Sequence, residues 1–125
     1  MARSYTLINT SRQQILLRNL RIADTFWQRF TGLMGRTLAE SEGLLIRPCN
    51  SIHCFFMKIP IDVLFLDKDS IVIHIISRMK PWRVSPVVRG ATAVIEGPAG
   101  AFEQVASGDH IEIQANVISQ GLTAD

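Results

Sequence analysis

The sequence predicts a mainly β fold, a small sandwich or rolled barrel of about seven or eight short, mostly antiparallel strands with one or two short helices. Three observations support this fold class. Short apolar segments rich in β-branched residues recur along the chain, turn residues separate them, and alternating βα units are absent. Because 125 residues is the usual size of one domain, we expect a single domain over residues 1–125.

The strand predictions follow the apolar segments in chain order. We predict strands at residues 5–9, 15–23, 43–47, 51–57, 61–66, 71–79, 91–96 and 110–113. The segment 61–66 is apolar at nearly every position, which is typical of a strand that is covered on both faces. The first two segments are expected to form an opening hairpin.

Two short helices complete the predicted secondary structure. The first begins after Asp24, a good N-cap residue, and ends before Gly35, which suits the position after a helix. Between them, apolar residues recur on one face with a 3.6-residue period: Phe26, Phe30, Leu33 and Met34. The second is one or two helical turns over residues 101–107, ending at Gly108. The pattern weakens from Gln114 onward, so residues 114–125 are predicted to be a loose tail.

The composition is that of a packed globular protein with a mild charge. Hydrophobic residues make up 47% of the chain, charged residues 19%, and the net charge is +2. A nucleic-acid binder usually carries a denser basic stripe, so nucleic acid is an unlikely partner. Two cysteines are too few for a small secreted scaffold, and no apolar stretch has the length of a membrane span. We therefore expect a soluble cytoplasmic protein with no membrane partner and with an N-terminus that lacks a secretory signal.

Four segments occur in an order that resembles one known family. They are Gly32–Arg36, Gly43–Leu45, the stretch from His53-Cys54-Phe55-Phe56-Met57-Lys58 to Pro60-Ile61-Asp62-Val63-Leu64-Phe65-Leu66-Asp67, and Pro81-Trp82. From about residue 20 to 113 the chain resembles the family numbered 192 among the domains of unknown function. The resemblance implies a small β-sandwich domain with one or two short helices. It implies no reaction, cofactor or partner, because the family has none assigned.

Asp62 is the most informative single residue, because it stands inside an apolar strand where a carboxylate must find hydrogen-bond donors. In one interpretation it binds backbone amides at a turn or an arginine, and Arg36 is the expected partner. In the other it is a catalytic acid or base, with Arg36 or His53 in support. A hairpin through residues 58–60 would place Phe56 opposite Asp62.

The chain also contains residue types that bind zinc, but their spacing is unusual. The pattern Cys49-x3-His53-Cys54 matches no usual zinc motif, and His74 lies among isoleucines in a predicted strand. Adjacent strand residues point to opposite faces, which disfavours a Cys–His nucleophile at positions 53 and 54. Phosphate-binding loops and nucleophile elbows are absent from the sequence. We predict no bound metal and no cofactor.

The segment from Lys80 to Gly90 is predicted to be a long surface loop, because prolines interrupt the strand pattern there. It carries Trp82 beside Arg83. An aromatic residue near cations anchors partners at the rim of many clefts, and it can also stack on a base.

The leading functional prediction is a non-catalytic β domain that binds a small ligand or a protein. The residues predicted to bind the ligand are Arg36, Met57, Asp62, Trp82 and Arg83. One alternative is a small enzyme of unknown reaction that uses Asp62 as acid or base. The other is a nucleic-acid accessory protein.

Overall fold

The computed structural model describes residues 4–23, 42–52 and 59–117, and seven strands lie in these ranges. They are β1 Tyr5–Asn9, β2 Gln14–Ala23, β3 Glu42–Ile46, β4 Ile61–Leu66, β5 Val72–Met79, β6 Ala93–Pro98 and β7 Ile111–Ala115. The mainly β prediction is confirmed, and each of these strands overlaps a predicted one. The predicted helix after Asp24 and most of the predicted strand 51–57 lie outside the described residues.

The strands form one curled sheet in the order β5-β4-β6-β3-β2-β1-β7. Neighbouring strands are antiparallel except β2 and β3, which are parallel, and β1 and β2 form the predicted hairpin. The two edge strands approach each other at an isolated bridge between Ile71 and His110. The amide of Ile111 also donates to the carbonyl of Ser70 across this seam at 2.9 Å. The sheet is therefore a half-barrel, the rolled form of the two predicted architectures.

The sheet buries apolar side chains on both faces. The cluster on one face draws residues from all seven strands, so it is the concave interior: Leu7, Leu17, Leu20, Leu45, Leu64, Leu66, Val72, Ile95 and Ile111 are among its members. The cluster on the convex face centres on Val63, Phe65 and Val94. All six residues of β4 are buried, as expected for a strand covered on both faces. No helix within the described ranges is long and apolar enough to cross a membrane.

Residues 99–109 connect β6 to β7 over the concave interior of the half-barrel, and we call this segment the plug. It buries Phe102 and Val105 against the concave interior. The predicted helical turns over 101–107 are wrong, because this part of the plug consists of separate turns. In such a turn an amide donates to the carbonyl three residues earlier, as the amide of Val105 does to the carbonyl of Phe102 at 3.0 Å. Gly97 has no room for a side chain, since an added Cβ would lie 2.8 Å from Cζ of Phe102.

The predicted hairpin between residues 51–57 and β4 is also wrong. Both edges of β4 are already paired, and Leu64 lies between Ile75 of β5 and Ile95 of β6. Asp62 therefore lies opposite Gly97 and not opposite Phe56. The error arose because the short turn at 58–60 suggested local pairing, whereas a central, fully apolar strand takes distant strands on both sides.

Candidate functional site

Asp62 is buried beneath the plug, with 1% of its surface exposed. Its Oδ1 accepts a hydrogen bond from the amide of Arg78 at 2.9 Å. Its Oδ2 accepts from the amides of Gly100 at 3.0 Å and Phe102 at 3.2 Å. The carboxylate thus joins β4, the end of β5 and the plug. This agrees with the interpretation in which Asp62 binds backbone amides at a turn. A catalytic role for Asp62 stays a prediction.

The other residues considered from the sequence lie apart from Asp62 or outside the described ranges. Arg36, His53 and Met57 lie outside them. His74 is half-buried in β5 against Phe65, with the ring centroids 5.4 Å apart. In the parts of the chain that the structure describes, no group of three or more His, Cys, Asp or Glu side chains is arranged to hold a metal ion.

Residues 80–90, which we call the Trp82 loop, run along residues 49–52 and are anchored there at their middle. Ser85 is buried, its amide donates to the carbonyl of Ile52 at 2.8 Å, and its Oγ accepts from the amide of Ile52 at 3.0 Å. Farther along, the amide of Val88 donates to the carbonyl of Asn50 at 2.8 Å. The backbone of this loop is therefore fixed by hydrogen bonds at Ser85 and Val88, on either side of the exposed Pro86 and Val87.

The Trp82 loop exposes three large apolar side chains. The exposed fractions are 59% for Trp82, 61% for Val84 and 70% for Val87. Trp82 also has a positive φ of 67°, a conformation that non-glycine residues keep only when the surrounding structure holds them in it. Four cationic residues and no acidic residue occur between positions 77 and 92. Of the ligand-binding residues predicted from the sequence, Trp82 and Arg83 thus share an exposed, cationic and partly apolar surface.

Glu96 is a buried carboxyl group that the sequence reasoning missed. It lies in β6 between Leu44 of β3 and Val63 of β4, on the convex face of the sheet. Burial raises the pKa of the Glu96 carboxyl to about 8, because this apolar position disfavours the charged form. No hydrogen bond from the described residues reaches this carboxyl group. An acid inside an apolar strand was the same pattern that identified Asp62, so the sequence did contain the signal.

A second missed carboxylate, Asp109, holds the other end of the plug. Its Oδ2 accepts from the amide of Ala106 at 2.9 Å, from Nδ2 of Asn9 at 2.8 Å and from Nε of Arg12 at 2.8 Å. The backbone hydrogen bond from Ala106 is the largest cause that lowers the pKa of Asp109 to about 2, with Asn9 and Arg12 adding to it. Two carboxylates therefore fasten the plug, one at each of its ends.

These features define a small half-barrel domain in which Asp62 and Asp109 fasten the plug to the sheet. The chain belongs to the family DUF192, described as Uncharacterized ACR, whose sequence model matches residues 7–113. The resemblance found in the sequence is thereby confirmed. Similar proteins include a UPF0127 protein of Thermococcus sibiricus, 36% identical over 85% of this chain and 73% of the relative. The UPF0127 protein PF1050 of Pyrococcus furiosus is 35% identical over 85% of this chain and 96% of the relative.

Two solved structures share the fold. A protein of unknown function from Novosphingobium aromaticivorans has a TM-score of 0.74 at 26% identity, over 87% of this chain and 83% of that one. A protein described as a putative transcription regulator, from Sinorhizobium meliloti, has a TM-score of 0.71 at 25% identity, over 90% of this chain and 94% of that one.

Proposed function

We propose that this chain is a non-catalytic binding domain that recognises a partner protein through the Trp82 loop. One observation carries the proposal: Trp82, Val84 and Val87 are exposed on a loop whose middle is anchored by the buried Ser85. Exposed apolar side chains of this size cost solubility, and grouped ones mark interaction surfaces in many proteins.

The anchoring matters because binding must overcome the conformational entropy of the groups that it orders. A loop that is already hydrogen-bonded to residues 49–52 loses less freedom when a partner binds. Tryptophan and arginine are also the residues that most often dominate the energy of protein interfaces. Trp82 and Arg83 supply both types side by side.

The chemistry of the loop favours an acidic, partly apolar segment of a protein as the partner. The four cations between positions 77 and 92 are not balanced by any acid in that stretch. Arginine forms paired hydrogen bonds with carboxylates, and complementary charge speeds association. Residues 82 to 87 span at most about 18 Å when extended, a length that suits a peptide segment better than a small molecule.

The two alternatives from the sequence differ in their support. Single-stranded nucleic acid is the second candidate, because cations beside an aromatic can bind phosphates and stack on bases. The structural neighbour described as a putative transcription regulator also favours it. An enzyme that uses Asp62 has less support, since three backbone amides occupy both carboxylate oxygens.

The test is a selection of short random peptides displayed on phage against the immobilised full chain. We expect the selected peptides to combine acidic residues with aromatic or aliphatic ones. In fluorescence anisotropy, Trp82→Ala should weaken their binding at least about tenfold, as hot-spot truncation does. Val117→Ala is the control, because Val117 is also an exposed apolar residue and lies beyond β7, at the other edge of the sheet order.

Two results would overturn the proposal. One is that the selected peptides bind the Trp82→Ala variant as tightly as the wild type. The other is that no peptide is selected, while a labelled single-stranded oligonucleotide binds in a salt-dependent manner that requires Trp82. That result would indicate that this surface binds nucleic acid and not a protein.

A further inference from the structure

The two ends of the half-barrel differ. At the end where β4 begins, the plug buries Phe102 against the concave interior beside Asp62. The opposite end, where β3 and β4 finish and β6 begins, contains a cleft with a volume of about 480 Å³. We call this cleft the barrel mouth. Mouths of β-barrels are a common position for small-molecule sites, which usually measure roughly 300–1,000 Å³.

The floor of the barrel mouth is apolar. Leu45 and Leu66 line it and are almost fully buried, at 1% and 2% exposure. Ala93 and Ile113 line it as well and are only half-buried. The concave interior is therefore less completely covered at this end than under the plug, and an apolar group placed here would gain burial.

The rim of the barrel mouth carries two cations from different walls. Arg47 follows β3 and Lys68 lies in the turn between β4 and β5, and both are exposed. Within the described residues neither side chain forms an ion pair. The hydroxyl groups of Ser70 and Thr92 also line the cleft and make no hydrogen bond to that part of the chain. The rim thus offers two charges and two hydroxyl groups to a ligand.

Asp67 also lines the cleft and brings a negative charge to it. Its Oδ1 accepts hydrogen bonds from the amides of Asp69 at 2.8 Å and Ile71 at 3.0 Å. These two donors orient the carboxylate within its own turn and offset part of its charge. Among the residues that the structure describes, the cations at positions 47 and 68 have no such partners, so the described lining favours an anion.

We propose that the barrel mouth binds a small organic carboxylate with an apolar body. The apolar body would lie on Leu45 and Leu66, and the carboxylate would pair with Arg47 and Lys68. Arginine suits this role because its planar group presents two parallel donors to a carboxylate. The site uses no residue of the Trp82 loop, so its test is independent of the test of the proposed protein-binding function.

The experiment compares three probes of one length: octanoate, octan-1-ol and octylamine, each titrated into the full chain. Amide shifts in NMR spectra locate the binding, and calorimetry gives the affinity. Octanoate should shift the amide signals of residues 45–47, 66–70 and 92–93. It should bind at least about tenfold more tightly than octanol, the usual scale for losing a charge-assisted hydrogen bond, and octylamine should not bind.

Variants separate the contribution of the rim from that of the floor. Arg47→Gln and Lys68→Gln should each weaken octanoate several-fold and leave octanol unchanged. Arg18→Gln is the control, because Arg18 is an exposed arginine that lines a different cleft, beside Pro98 and Gly100, and should have no effect. Ala93→Phe should fill the floor and abolish the binding of both octanoate and octanol. If Ala93→Phe fails to fold, the two rim variants still decide the matter, because their side chains are exposed.

Four results would overturn the inference. Octanoate and octylamine could bind equally, which would remove the role of the cations. Arg18→Gln could weaken octanoate as much as Arg47→Gln, which would indicate a general charge effect. The amide shifts could map away from the barrel mouth, or no probe could bind at all, and in either case the site would be withdrawn.

Discussion

The carboxylate of Asp62 and the amide of Gly100, 38 residues apart in the chain, are joined by a hydrogen bond of 3.0 Å. This bond ties the central strand β4 to the plug. Gly100 has a φ of 91°, in a region that glycine enters far more readily than other residues, so the turn can present its amide to the buried acid. The amide of Phe102 donates to the same oxygen, which positions the Phe102 ring over the concave interior. The buried side chain of Asp62 thus fixes the start of the plug.

The first prediction is that Asp62→Ala lowers the free energy of unfolding by about 2–4 kcal/mol. The variant leaves the amides of Arg78, Gly100 and Phe102 without their acceptor, and the amide of Phe102 is buried. Urea unfolding measures the loss. Asp69→Ala, at an exposed turn position, is the control and should change stability by less than about 0.5 kcal/mol. A similarly small change for Asp62→Ala would show that the acid does not hold the plug.

The second prediction concerns Glu96, whose pKa is raised to about 8 in the folded protein from 4.5. Between these two pH values the unfolded chain releases this proton and the folded chain keeps it. The contribution of Glu96 to the free energy of unfolding is therefore most favourable below pH 4.5. It falls by up to about 1.4 kcal/mol per pH unit as the pH rises to 8. Glu96→Gln, which resembles the protonated acid, should remove this decline and be the more stable protein at pH 8.

Urea unfolding of both proteins from pH 5 to pH 9 measures this difference. Other titrating groups contribute equally to the two proteins, so the difference between the curves isolates Glu96. The curves should lie closest together at pH 5 and separate as the pH rises toward 8. Parallel curves would mean that Glu96 is ionised in the folded protein and that its burial has no such cost.

The third prediction concerns Asp109 and has the opposite sign. Its pKa is lowered to about 2 from 3.8, so its contribution to stability is complete above pH 3.8 and is lost as the pH falls toward 2. Asp109→Asn should cost about 2 kcal/mol at pH 6, and this cost should shrink below pH 4. Arg12→Gln removes one donor of three and should cost less. A cost for Asp109→Asn that is the same at pH 3 and pH 6 would contradict this assignment.

Local patterns predicted most of the fold. Periodic apolar segments located each strand from β1 to β7 to within one or two residues, because burial on a sheet imposes that pattern directly on the sequence. The strand order was not predictable in the same way. β6 inserts between β3 and β4, and the sequence of each of these strands does not indicate which distant strand it pairs with.

The candidate site was only partly predictable for a related reason. The sequence indicated Asp62 because one acid stood in an apolar segment, and it indicated the Trp82 loop because prolines stopped the strand pattern. It did not indicate Asp109, which follows Gly108 in a polar turn and resembles an ordinary surface residue there. Its three donors come from Asn9, Arg12 and Ala106, and only folding brings these together. The barrel mouth is likewise assembled from residues of four separate strands and the turns beside them.

The last prediction concerns Trp82 and separates a binding role from a packing role. A core tryptophan replaced by alanine costs about 3–5 kcal/mol, whereas an exposed one costs little. Because Trp82 is 59% exposed and the loop is held through Ser85, Trp82→Ala should lower stability by less than about 1 kcal/mol. Ser85→Ala should cost more, because it removes the acceptor for the buried amide of Ile52. Thermal melts of both variants beside the wild type decide the question. A Trp82→Ala protein that unfolds near room temperature would make Trp82 a structural residue and would withdraw the Trp82 loop as a binding surface.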